Sequence, residues 1–157
     1  MKHKKKFIVA IDQGTTSSRA ILFSTNGKLL FKSQLEIKQY FPKNGWVEHN
    51  PEEIWSKTKK VLVDVINKST KLKGEILSIG ITNQRETTIL WDKISGKPVY
   101  NAIVWQDRRT ADFCKRFRSN KRERFINKKT GLLIDPYFSG TKIKWIIENV
   151  PKAKKLL

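Results

Sequence analysis

Cysteine is almost missing from this sequence. Cys114 is the only one, so neither an intramolecular disulfide nor a multi-cysteine zinc cluster can form. That excludes the crosslinked scaffolds of small secreted proteins and fits a reducing compartment. Histidine is nearly as scarce, with only His3 and His49. No apolar stretch approaches the length needed to cross a bilayer. The opening residues MKHKKK resemble the basic start of a secretory signal, but the apolar run behind them, Phe7 to Ile11, stops at Asp12 and is too short to complete one. A soluble cytoplasmic protein with no membrane partner is expected. Negative charge is short as well: 14 acidic residues stand against 33 basic ones, a formal net charge of +19.

Such an excess of cations raises nucleic acid as a partner, because clustered lysines and arginines release counterions from a phosphate backbone. Here the charge is mostly lysine and scattered, with local clusters at Lys4 to Lys6 and through Lys115 to Lys129. No zinc-finger spacing, RNP-type aromatic motif or uninterrupted basic helix accompanies it, so nucleic acid is not the expected partner. Hydrophobic residues make up 38% and aromatics 10% of the 157 residues, a globular composition with the length of one ordinary domain or part of one.

The order of the runs gives an α/β pattern. Residues 7 to 13 and 19 to 24 are short apolar runs flanking Gly14-Thr15-Thr16-Ser17-Ser18, which predicts a hairpin with a polar tip. Asn26-Gly27 supplies a second turn before an alternating run from Lys28 to Lys38, so the sheet opens with a β-meander. Asn50-Pro51-Glu52-Glu53 has the residues of a helix start, and Ile54, Trp55, Val61, Leu62, Val65 and Ile66 form an apolar stripe behind it. Ile76 to Thr82 is a continuous apolar run of the kind expected for a central strand buried on both faces. Further strands are predicted at Thr87 to Trp91 and Ala102 to Trp105, then helices over about 109 to 117, 122 to 129 and 141 to 149. The whole predicts a sheet of mixed strand directions.

Chemistry concentrates first at Asp12-Gln13-Gly14-Thr15-Thr16-Ser17-Ser18-Arg19. Glycine permits close backbone approach, successive N–H groups in a tight turn make an anion-binding concavity, and hydroxyls add donors for phosphate oxygens. Asp12 is a candidate Mg2+ ligand, directly or through water, and Arg19 places a permanent cation where a transferred phosphoryl group carries charge. A plain Gly-Thr-Ser hairpin is the alternative that composition alone favours. Neither GxxxxGK[ST] nor GxGxxG occurs, so a Walker or Rossmann nucleotide site is not supported.

The pattern D-x-G-T-[TS]-[ST] in a hairpin resembles the first phosphate loop of the actin-like ATPase and sugar kinase superfamily. Four later stretches are similar, block by block and in order, to the glycerol kinases of the FGGY carbohydrate kinase family: Gly45 to His49, Gly80 to Thr87 with its Asn83-Gln84-Arg85-Glu86-Thr87 core, Asn101 to Gln106, and Asp135 to Lys142. The resemblance runs from Phe7 to at least Asn149. It implies a ribonuclease H-like, actin-like ATPase fold, with residues 1–6 a basic N-terminal tail and residues 7–157 part of the family's first domain. It also implies the substrates, ATP with Mg2+ and glycerol, and the product, glycerol 3-phosphate.

The resemblance assigns the nucleotide's phosphates to Thr15, Thr16, Ser17 and Arg19, and the glycerol hydroxyls to Arg85, Glu86 and Tyr137. Trp105 would cover the apolar face of the carbon chain. An arginine donor beside a glutamate acceptor can satisfy hydroxyls that both give and accept hydrogen bonds. A structural ion pair for Arg85 and Glu86, and core packing for Tyr137 and Trp105, are the plain alternatives. Asp107, Arg108 and Arg109 resemble a family segment without supplying the general base, which in the family is a later aspartate, expected beyond Leu157. The chain by itself is therefore expected to lack useful kinase activity, with the remainder of the family's sequence as a partner if it is a separate chain, and homo-oligomers as the common assembly. Another sugar or polyol kinase of the same fold, and a non-catalytic basic binding module, are the competing readings.

Overall fold

The computed structural model describes residues 4–156 and divides the chain into two compact units. The first holds residues 1–38 and 52–84, the second residues 39–51 and 85–157. Residues 1–3, the first half of the predicted basic tail, and Leu157 lie outside the described residues.

In the first unit, strands β1 (Lys5–Gln13), β2 (Ser17–Ser24) and β3 (Leu29–Glu36) form the expected meander, and β5 (Gly74–Thr82) lies parallel to β1, giving the sheet order β3-β2-β1-β5. Lys5 and Lys6 pair with Gly74 and Glu75, so the last residues of the basic tail are already strand. Helix α1 (Pro51–Lys71) begins where proline at the first position requires no N–H partner, with Glu52 and Glu53 in its first turn facing the positive end of the helix dipole. It packs Val61 and Val65 onto Phe7, Val9, Ile11, Ala20 and Leu22. Each large side chain buried there stabilises the fold by about 1.5–3 kcal/mol. The Phe7 ring lies so close over Gly74 that an added Cβ would come within 1.9 Å of it.

Two expectations for this unit fail. The run ending at Thr82 is not buried on both faces: β5 is an edge of the described sheet, and Leu77, Ile79 and Ile81 are exposed, Ile81 at 72%. The core under α1 reaches β5 only at its start, through Ile76, so the apolar run from Leu77 to Ile81 stands in the open. Within α1, Trp55 and Ile66, counted in the apolar stripe, are exposed while Val61 and Val65 are fully buried.

The second unit is built from short pieces: β4 (Glu48–His49) antiparallel to β6 (Ala102–Ile103), then helices α2 (Ala111–Phe117), α3 (Asn120–Thr130), α4 (Ser139–Asn149) and α5 (Pro151–Lys154). The strand predicted at Thr87 to Trp91 reduces to isolated bridges, Thr88 with Ile103 and Trp91 with Pro98, because the run changes partner within a few residues: Thr88 bonds Ile103, whereas Leu90 and Asp92 bond Val99 and Lys97 across the turn at Gly96. Gly131 ends α3 in the left-handed conformation, φ 73°. Ile103, Ile146, Val150 and Ala153 make the unit's core.

Beside that core sits a buried charged cluster. The Arg109 guanidinium donates from Nη2 to Glu48 (2.7 Å) and Asp107 (2.8 Å) and from Nε to Asp107 (2.9 Å), with its side chain fully buried. Its centre lies 3.9 Å from the Trp46 ring and 4.5 Å from that of Trp145. Burial disfavours the guanidinium's charge, but the hydrogen bonds to Asp107 and Glu48 outweigh it and hold its pKa above the ordinary value. Tyr100 and Asn101 donate to Glu48, and the Val47 amide donates to Asp107.

Candidate functional site

The predicted site residues fall into two groups, one in each unit. In the first, the turn between β1 and β2 contains Gly14, Thr15 and Thr16, and is closed by Gly14 N donating to the Ser17 carbonyl at 3.0 Å. A Cβ on Gly14 would meet that carbonyl oxygen at 3.3 Å, so the close turn favours glycine. Thr16 is exposed at the tip and its carbonyl accepts from Ile37 N at 2.8 Å. Asp12 and Arg19 face each other in register across the hairpin, Arg19 Nη1 standing 3.6 Å from Asp12 Oδ2.

Both Asp12 and Arg19 remain part-exposed, so this pairing leaves them open to solutes. Ser17 is nearly buried, and its hydroxyl accepts from Gln34, whose carbonyl oxygen accepts from Arg19 Nε at 3.2 Å. The hydroxyl tip therefore divides: Thr16 faces solvent, whereas Ser17 belongs partly to the hairpin's own hydrogen bonding. Ser18 is fully buried against Thr58 of α1, a hydroxyl used to fix the hairpin on the helix.

In the second unit, Arg85 and Glu86 form a turn directly after the end of β5. Glu86 has φ 66°, a left-handed backbone that costs a residue with a Cβ on the order of 1–2 kcal/mol. The conformation is held from α4: Ser139 donates to Glu86 Oε2 from its backbone N (3.0 Å) and its hydroxyl (2.9 Å), and Lys142 Nζ donates to the Glu86 carbonyl (2.9 Å). Lys142 also donates to the Tyr137 carbonyl at 2.6 Å. The Tyr137 ring packs edge-on to Trp105, centroids 5.9 Å apart, and to Phe138 at 5.1 Å.

Glu86, Trp105 and Tyr137 are thus brought together by α4 and the loop before it. Arg85 is exposed and makes no ion pair or hydrogen bond among the described residues, so it is not tied up in an ion pair with Glu86. Among those residues, neither Glu86 Oε1 nor the Tyr137 hydroxyl takes part in a hydrogen bond. Tyr137, at 37% exposed, is not a core residue, and Trp105 is half-buried.

Sequence reading missed Lys142 and Ser139 as site elements. Lys142 is completely buried, and burial is the largest influence on it, pushing its pKa down to about 8 against the upward pull of Asp107, Glu86 and Asp135. In a chain so rich in lysine, nothing marks this one out except its place within the Asp135 to Lys142 block. No group of three or more His, Cys, Asp or Glu residues arranged to hold a metal ion occurs among the described residues, nor does a helix long and apolar enough to cross a membrane.

Residues 7–156 match the FGGY family of carbohydrate kinases, N-terminal domain. The glycerol kinase of Geobacillus sp. (strain WCH70) is 54% identical over 151 residues, covering 96% of this chain and 30% of that protein. The crystal structure of Plasmodium falciparum glycerol kinase with ADP superposes with a TM-score of 0.89 at 37% identity, over 97% of this chain and 30% of that one. A xylulose kinase from Rhodospirillum rubrum superposes with a TM-score of 0.87 at 21% identity, over 96% and 31% of the two chains, a likeness of fold alone. The mixed sheet with its opening meander is that of the actin-like ATPase fold. The chain spans about a third of the length of the relatives it matches, 30% in the Geobacillus case.

Proposed function

Because the chain belongs to the FGGY family of carbohydrate kinases, matching its N-terminal domain, we propose that it supplies the phosphate-loop hairpin and the polyol-binding residues of a cytoplasmic, MgATP-dependent glycerol kinase. The reaction is ATP plus glycerol giving glycerol 3-phosphate and ADP. One observation carries the choice of substrate contacts: Arg85, Glu86 Oε1 and the Tyr137 hydroxyl keep hydrogen-bonding capacity that no described residue uses, although Glu86 is held in a strained conformation by three hydrogen bonds from α4. Strain over-determined in this way is characteristic of functional positions.

In this reading Glu86 accepts from one glycerol hydroxyl while Arg85 and Tyr137 donate to its neighbours, and Trp105 lies against the carbon chain. Thr15, Thr16, Ser17 and Arg19 bind the nucleotide's phosphates, with Arg19 stabilising charge on the group in transfer. The hairpin fits a magnesium site in which one carboxylate and the phosphates share a largely hydrated ion: Asp12, near the end of β1, is the single carboxylate in residues 12–19 and is part-exposed. Magnesium, when bound, neutralises phosphate charge, and Asp12 would help hold it. The aspartate that takes the proton from the attacking hydroxyl is assigned to the part of the relatives that this chain does not span. The chain therefore acts with that remaining part, whether continuous or separate.

The test is a coupled assay for ADP release with MgATP and glycerol, run on this chain alone and after adding the C-terminal portion of the Geobacillus relative. Activity only on mixing supports the reading. Activity with a pentulose or gluconate in place of glycerol would overturn the substrate, and silence from a folded mixture would overturn the function.

A further inference from the structure

The family resemblance drawn from the sequence gives Lys142, the last residue of the Asp135 to Lys142 block, no role, yet its side chain is fully buried and its ammonium joins two residues assigned to glycerol. Its Nζ lies 2.9 Å from the Glu86 carbonyl and 2.6 Å from the Tyr137 carbonyl, groups 51 residues apart in the chain. Burying an ammonium without a carboxylate directly on it is costly, and an apolar side chain would fill the same space at less expense. What the ammonium adds is geometry: three donors on one atom can hold two carbonyls of different segments at a fixed spacing. Ser139, one helical turn earlier on α4, grips the carboxylate end of the same glutamate. The first turn of α4 therefore holds Glu86 by its backbone and its side chain, and holds Tyr137 by its backbone. Asp107, Asp135, Glu86 and Arg109 are the charged groups acting on the amine.

We propose that Lys142 is a positioning residue of the glycerol pocket, setting the separation and orientation of Glu86 and Tyr137 through their carbonyls and so setting the affinity for the polyol. The inference rests on the reading of Glu86 and Tyr137 given above. On this proposal Lys142 acts through the Glu86 and Tyr137 carbonyls to which its Nζ donates, not by binding the polyol itself. Its loss is expected to act on glycerol and not on ATP, since a contact displaced by even an ångström in an oriented site has a large kinetic effect.

The experiment uses the mixed assay with wild-type chain, K142M, which keeps length without donors, and K142R, which restores donors. K142M is expected to raise the glycerol KM by about tenfold or more, corresponding to roughly 1.4 kcal/mol, at unchanged KM for ATP. K142R is expected to recover most of the loss. A folded K142M with wild-type glycerol KM overturns the proposal, and so does a loss of kcat and of both KM values together that follows only the fraction of folded protein. If the wild-type mixture itself turns over no glycerol, the pocket reading fails first and the inference falls with it.

A second measurement needs no variant. In the isotope-labelled wild-type chain, couplings across the hydrogen bonds from Lys142 15Nζ to the carbonyl carbons of both Glu86 and Tyr137 are expected, as is a shift of the ammonium resonance on titration with glycerol. Absence of either coupling, or no response to glycerol, overturns the proposal even if K142M does not fold.

Discussion

Replacing Arg109 by alanine strips the guanidinium from between two buried carboxylates. Glu48 and Asp107 have side chains only 2% and 1% exposed, and three charge-assisted hydrogen bonds of 2.7 to 2.9 Å vanish with the guanidinium. Breaking a buried ion pair from one side typically costs about 3–5 kcal/mol, because the remaining charge has neither partner nor water. Two features place the cost within that range. Glu48 keeps its bonds from Tyr100 and Asn101, and Asp107 keeps those from the Val47 and Arg109 amides, which limits the loss. Against this, the guanidinium also leaves the faces of Trp46 and Trp145, contacts worth about 1–2 kcal/mol when desolvated. The expected destabilisation is about 4 kcal/mol, a large share of the roughly 5–15 kcal/mol that holds a small domain together. Urea unfolding at pH 7, followed by tryptophan fluorescence, should show the midpoint falling by roughly 2 M. The triple variant R109M/E48Q/D107N, which removes the charges together, should recover at least half of the loss. R109A within about 1 kcal/mol of wild type, or a triple variant less stable than R109A, would refute the reasoning.

The pH dependence of stability reports on Lys142. Its folded pKa of about 8 lies below the ordinary 10.5, so the folded state binds fewer protons between those values and stability rises with pH across that window, by up to about 3 kcal/mol. Cys114 and Tyr100, whose pKa values burial raises, act in the opposite sense. The check is therefore the difference between wild type and K142M, which should lose the upward contribution between pH 8 and 10; parallel curves would contradict it. In the mixed assay, R85A and E86A should each raise the glycerol KM roughly 10- to 100-fold, since each removes a charge-assisted hydrogen bond. An unchanged glycerol KM in R85A would show the pocket to be misassigned. R19A should lower kcat about 100-fold with little change in glycerol KM, as expected for a charge that matters most in the transition state.

How much of this could be read in advance depended on how local the determinants were. The hairpin, the Asn26-Gly27 turn and the start of α1 at Pro51 are encoded within a few residues, and each forms where the sequence indicates. β5 shows the opposite case. Its isoleucines fix the strand, but whether a strand is central or an edge depends on what else packs on it, and Ile79 and Ile81 carry no mark of that. At the site, the glycine, hydroxyl and Arg-Glu patterns were visible as chemistry. The left-handed backbone of Glu86 was not, because glutamate gives no local signal for positive φ. Lys142 was invisible for the same reason as β5: a lysine is expected on the surface, and only the meeting of α4 with two distant carbonyls puts this one inside.

Amine-reactive esters at pH 8 acylate lysines in proportion to their access and to the fraction that is uncharged. Lys142 combines a closed surrounding with, at its pKa of about 8, an amine that is about half neutral at that pH. Its neighbours in sequence, such as Lys144, are exposed and label at once. A mass-spectrometric time course would therefore show late acylation at residue 142 that tracks the opening of α4 from the Glu86 turn, giving the chain an internal clock for breathing of that segment without any added probe.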